Sequence, residues 1–73
     1  MAMKTTQKDI SFGKKLARTR KNAGYTQERL AEKSSLSTTF IGLLETGNRR
    51  ASLRSLQKIA SILGLKVKDL LNF

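Results

Sequence analysis

The sequence predicts an all-α protein, a compact bundle of five short helices. Apolar residues recur at helical spacing, and no segment alternates cleanly with the period of a strand. Between the periodic stretches stand hydroxyl residues and glycines, placed as helix starts and stops. At 73 residues the chain has room for one domain. A chain of this size buries only about 60% of its unfolded surface, so its core is small and oligomerisation would help it.

Residues 1–8, MAMKTTQK, show no apolar periodicity and are expected to form a flexible basic arm, leaving 9–73 as the folded domain. From Ser11 onward, Phe12, Leu16 and Ala23 share a helical stripe with Lys14, Lys15, Arg18 and Lys21 around it. This first helix should close near Asn22, with Gly24 as its left-handed stop. Thr26 reads as the N-cap of a second helix, with Glu28 in the first turn where the helix dipole favours negative charge. Leu30 and Ala31 give that helix its inward face, and it should run to about Lys33 before a turn at Ser34-Ser35-Leu36. Ser37 caps a third helix, in which Ile41 and Leu44 point inward and which Gly47 ends. After a loop from Asn48 to Ala51, Ser52 caps a fourth helix carrying Leu53, Leu56, Ile59, Ala60 and Leu63 at helical spacing up to Gly64. Val67, Leu70 and Leu71 make a short fifth.

Charge narrows the function classes. Fifteen Lys and Arg against five Asp and Glu give a formal net charge of +10. That excess favours anionic partners, nucleic acid first and an anionic membrane surface second. The chain has no cysteine and no histidine. Disulfides and thiolate metal sites are thereby excluded, as is the commonest general base. No cofactor, metal, small-molecule ligand or catalytic residue is expected. The apolar runs fall far short of the roughly 20 residues a membrane span needs, and no signal-like run follows the N-terminal lysines. An intracellular, cytoplasmic protein is expected.

The third helix has an unusual outer face. At about 100° per residue, Phe40, Ile41 and Leu44 fall on one side, and Thr38, Thr39, Gly42, Leu43 and Thr46 fall on the other. A solvated helix face would more often carry Glu, Lys or Gln, which form helices better. A short, neutral, hydroxyl-rich face suits close entry into the DNA major groove, where the first residues of a helix meet base edges. It equally suits the first turn of an ordinary surface helix. Phe40 stands at the border, as fit for the core edge as for the groove. Gly42 suits close backbone approach or is simply a tolerated helix glycine.

The stretch GYTQERLAEKSSLSTTFIGLLETGNRRASLRSLQKIASILGL resembles the helix-turn-helix of phage repressors and Cro, the XRE-type regulators. The marks are T-Q-x-x-L-A at the start of the second helix, a small-residue turn, I-x-x-L-E-x-G in the third and S-L-x-x-L-x-x-I-A in the fourth. The small size is also similar to the controller proteins of restriction–modification systems. The resemblance implies base contacts from Thr38, Thr39 and Leu43, with the leucine limited to apolar contact such as a thymine methyl. It implies phosphate contacts from Gln27 at the second helix start and from Asn48, Arg49 and Arg50 after the third. Lys14, Lys15 and Arg18 are further candidate phosphate neighbours.

Arg20 lies on the first helix's apolar stripe, where an unpaired charge would be expensive. The resemblance sets a third-helix carboxylate, here Glu45, against it as a structural pair. The implied function is a sequence-specific, double-stranded DNA-binding transcription regulator acting as a homodimer on a pseudo-palindromic operator. Leu65, Val67, Leu71 and Phe73 are the residues expected at the dimer contact. An antitoxin- or coactivator-type module that also binds a protein is the alternative, and a membrane-surface protein is disfavoured by the several caps and glycine stops.

Overall fold

Four hydroxyl side chains start the four longer helices of the computed structural model, which describes residues 4–73. Thr6, Thr26, Ser37 and Ser52 each accept a hydrogen bond from the backbone N–H three residues on. These bonds satisfy amides that a helix start otherwise leaves without partners. The helices are α1 (Gln7–Asn22), α2 (Gln27–Ser34), α3 (Thr38–Glu45), α4 (Leu53–Leu63) and α5 (Val67–Leu70).

The first helix begins four residues before the expected Ser11. Thr6 and Asp9 form a reciprocal capping box, so Gln7 and Lys8, expected in the arm, are the first turn of α1. Residues 1–3 of that arm lie outside the described residues. The second helix also extends one residue further. Ser34 is helical and buried, and its hydroxyl donates to the Leu30 carbonyl at 2.6 Å. Ser35 then takes the left-handed conformation at φ 56°, a place usually filled by glycine. The Leu36 amide bonds back to the Ala31 carbonyl at 2.9 Å, which turns the chain sharply into α3.

Leu16, Leu30, Ile41, Leu44, Ile59 and Leu70 are fully buried and draw on all five helices. Each such side chain contributes about 1.5–3 kcal/mol relative to exposure. The middle of the bundle is α3, which packs against both α1 and α2, while α2 reaches α4, and α5 closes against α4 and α1. Two residues expected on inward stripes are outside. Ala23 is the exposed C-cap of α1, beyond the last helical turn that meets α3. Leu53 is 63% exposed, because it sits at the edge of the α4 apolar arc in the first turn.

Two glycines set how closely the elements approach. Gly13 is buried in α1 where that helix crosses the end of α3. A methyl built on it would lie 2.6 Å from the Leu44 carbonyl oxygen and would also strike that of Glu45. Gly47 has φ +81°, and a side chain there would press on the Ile10 amide at 3.1 Å. The Asn48 amide meets the Leu43 carbonyl at 2.9 Å, closing the end of α3 while the loop passes over the first turn of α1.

Gly13→Ala should therefore destabilise the protein, although alanine is the better helix former by about 1 kcal/mol. Overpacking against an unyielding backbone costs roughly 1–3 kcal/mol and should outweigh that gain. Urea denaturation checks this, and a raised midpoint would show that α1 and α3 have room to separate.

Candidate nucleic-acid interface

The end of α3 is fastened by a buried ion pair. Arg20 of α1 is 7% exposed. Its Nε donates to Glu45 Oε2 at 2.6 Å and its Nη2 to Glu45 Oε1 at 3.1 Å, while Nη1 donates to the Tyr25 carbonyl at 2.8 Å. The fork is bidentate and desolvated, the arrangement in which a guanidinium–carboxylate pair is strongest and most directional. The Glu45 hydrogen bond holds the Arg20 pKa above its ordinary value, against the opposing effect of burial. Among the described residues, no buried side-chain nitrogen or oxygen lacks a hydrogen-bond partner.

Gln27 completes this cluster. Its Nε2 donates to Glu45 Oε1 at 2.9 Å, so its amide faces α3 within the protein. The expected phosphate contact thus meets a side chain already engaged at the α2–α3 junction. A methyl at Gly42 would stand 3.9 Å from Gln27 Oε1, an ordinary contact. The packing of the protein itself does not require glycine there.

With Ile41 and Leu44 buried, the opposite side of α3 is turned outward. Thr39 is exposed, whereas Thr38 and Leu43 are half-buried. Thr39, Phe40 and Leu43 line a surface groove together with Arg49, Arg50 and Ser52. Thr38 does not line it. Phe40 does both things the sequence left open: it packs against the core and lines the groove. The Thr46 hydroxyl is turned back onto the Gly42 and Leu43 carbonyls, each at 3.2 Å.

The loop after α3 separates three residues that are adjacent in sequence. Asn48 is exposed, donating to Thr46 Oγ1 at 2.9 Å and accepting from Thr5 Oγ1 at 3.3 Å. The Arg49 guanidinium lies over the Phe40 ring, 5.3 Å from its centroid. Arg50 forks instead onto Asp9, Nε to Oδ1 at 3.0 Å and Nη2 to Oδ2 at 3.1 Å. That bond, with the Thr6 amide, holds the Asp9 carboxyl well below the usual carboxylate range. Arg50 is correspondingly raised. Of the other cations, Lys14 and Arg18 are exposed on α1 and Lys15 is half-buried.

The C-terminal apolar residues also divide. Leu65 and Val67 pack against the core of their own chain. Leu71 is 49% and Phe73 50% exposed, and the Phe73 ring meets Phe12 edge-on with centroids 5.9 Å apart. Asp9 and Gly13 carry no role that the sequence alone assigns, and Leu53, expected on the inward stripe of α4, is exposed. Thr6-x-x-Asp9 was readable as a capping box, but the pairing of Asp9 with a residue 41 positions away leaves no local signal.

The helix-turn-helix family pattern matches residues 16–70 of the chain. The chain is 40% identical over 65 residues to the control protein C.BamHI of Bacillus amyloliquefaciens, covering 88% of this chain and 80% of that protein. Its fold is similar to that of the restriction-modification controller protein C.AhdI from Aeromonas hydrophila, with a TM-score of 0.81 at 34% identity, covering 84% of this chain and 92% of that one. The master regulator for biofilm formation SinR of Bacillus subtilis, solved in complex with DNA, matches with a TM-score of 0.80 at 27% identity, covering 84% of this chain and 98% of that one.

Arg20→Met with Glu45 intact should cost roughly 3–5 kcal/mol, because the carboxylate would stay buried without its partner. Adding Glu45→Leu should recover part of the loss. Chemical denaturation of both variants checks this, and a single variant as stable as the wild type would mean that water reaches Glu45 freely.

Proposed function

The chain belongs to the XRE-type helix-turn-helix family of transcription regulators, and on that premise we propose that it binds a pseudo-palindromic DNA operator as a homodimer. Binding is sequence-specific and to double-stranded DNA. Its proposed place is the cytoplasm, where its DNA would be found. The observation that carries this reading is the outward face of α3, short-chained and free of charge, beside a cationic loop. Within the family, the likeness to C.BamHI and C.AhdI supports a controller protein of a restriction–modification system. These relatives are control and regulatory proteins, which supports binding rather than catalysis as the task.

In this reading α3 enters the major groove with its N-terminal residues foremost. Thr39 and Leu43 meet base edges along the groove wall, and Thr38 joins them from the first helical position. Hydroxyls and a leucine methyl reach only a short distance, so the backbone of α3 must approach the bases closely. Asn48 and Arg49 meet the sugar-phosphate backbone, fixing register without reading sequence. The amides at the start of α2 add a favourable dipole for a phosphate.

A single module of this size reads few base pairs, and pairing about a two-fold axis doubles the site. Leu53, Leu71 and Phe73 are the large apolar side chains left exposed among the described residues. Leu53 stands one turn before Leu56, which lines the same cleft as Leu71 and Phe73. That surface is the proposed dimer contact, shifted from the expected set toward the start of α4. Leu65 and Val67 serve the protein's own core instead.

Changing Leu53 and Leu71 together to Ser should shift the protein toward monomer at micromolar concentration and steepen the concentration dependence of operator binding. Sedimentation equilibrium reads the first effect, and an unaltered dimer would place the interface elsewhere.

Selection of bound sites from random duplexes gives the operator and tests the whole reading. Thr39→Ala should then lower affinity for the selected site while leaving random-duplex affinity nearly unchanged. Losing one good base contact removes about 1–3 kcal/mol of discrimination, with a single hydroxyl at the low end. The ratio of specific to random affinity at one fixed salt concentration is the measurement. A ratio that survives Thr38→Ala, Thr39→Ala and Leu43→Ala would remove this face from base reading.

A further inference from the structure

Arg49 and Arg50 are equivalent in sequence, yet the fold gives them different neighbours. Arg50 is held at two points by Asp9, whose side chain is only 13% exposed. Asp9 is itself fixed by the amide and the hydroxyl of Thr6, each at 2.9 Å. The loop beneath is pinned to the same turn of α1 by the close passage of Gly47. The fork occupies the Nε–Nη2 edge of Arg50, so a phosphate that took that edge would break the tie between the loop and α1, and only the Nη1 donors are left for any other partner.

Arg49 is placed otherwise. Its guanidinium lies over the Phe40 ring, and that ring is anchored by its packing against the core. A cation–π contact holds a guanidinium without using up its N–H donors as a carboxylate fork does, so phosphate oxygens can still meet them. Both side chains border the groove in front of α3.

We propose that the two arginines divide the work: Arg50, held by Asp9, is a strut that fixes the loop, and Arg49, carried on the Phe40 ring, is the cation that meets the DNA backbone. Phe40 and Asp9 are positioning residues, acting through the arginine each one holds. This inference rests on the DNA-binding reading of the same face. It replaces the sequence's picture of two equal phosphate contacts with one contact and one brace.

The test is the salt dependence of binding to a random-sequence duplex, followed by fluorescence anisotropy, with a thermal melt of each variant. Arg49→Ala should flatten the slope by about 0.9, the loss of one phosphate contact. Asp9→Asn combined with Arg50→Gln replaces the ion pair by neutral hydrogen-bonding amides at unchanged net charge, and should leave the slope as it is. A slope reduced as much as by Arg49→Ala would make Arg50 a phosphate contact and overturn the division. Phe40→Leu should reproduce most of the Arg49→Ala loss and Phe40→Tyr should restore the wild-type slope, whereas a wild-type slope in Phe40→Leu overturns the role of the ring. Arg49→Lys leaves the core untouched, keeps the charge and loses the planar guanidinium over the ring. It should weaken binding several-fold, and wild-type affinity there also overturns the role of that contact. A wild-type protein that binds no duplex at any salt concentration would instead sink the underlying DNA-binding reading.

Discussion

The Arg20–Glu45 pair is the interaction on which the rest of the arrangement depends. It joins the end of α1 to the end of α3 and gathers the Tyr25 carbonyl and the Gln27 amide into one buried cluster. A buried ion pair adds little net stability compared with apolar packing, because desolvation consumes most of the Coulomb gain. Its contribution here is directional. A bidentate fork allows little rotation, so it fixes which face of α3 turns inward and how far α3 lies from the start of α2. The helix proposed to meet DNA is short, eight residues, and could not hold its orientation through propensity alone.

Close backbone contact supplies the second constraint. Where Gly13 meets the end of α3, the two helices touch main chain to main chain, and Gly47 brings the following loop onto the first turn of α1 in the same way. The proposed reading helix α3 and the loop after it are therefore both referenced to α1. Asp9 extends this arrangement to the surface by capping α1 and bracing Arg50 with one carboxylate. The first turn of α1 thus braces a loop that lies some forty residues later.

The neutral face of α3 gives the proposed interface its character. With a formal net charge of +10, attraction to DNA is supplied by the molecule as a whole and by the loop cations. That leaves α3 free to carry side chains chosen for fit. In the proposed interface hydroxyls and a leucine would discriminate by short-range contact, which puts affinity and selectivity in different parts of the same surface.

The sequence by itself determined the five helices, nearly all their boundaries and the sign of the partner's charge. Caps, stops and apolar spacing are local signals, carried by residues within one or two turns of one another. They also sufficed to turn Ile41 and Leu44 inward and to leave Thr39 outside. Only the tertiary structure decided what depends on separate segments meeting. Gly13 reads as an ordinary helix glycine until α3 crosses it, and Leu53 fits the α4 stripe until the first turn proves uncovered. Arg49 and Arg50 are neighbours with the same chemistry. One finds Asp9 and the other finds Phe40, and only the packing of α1 and α3 around that loop determines what each one meets.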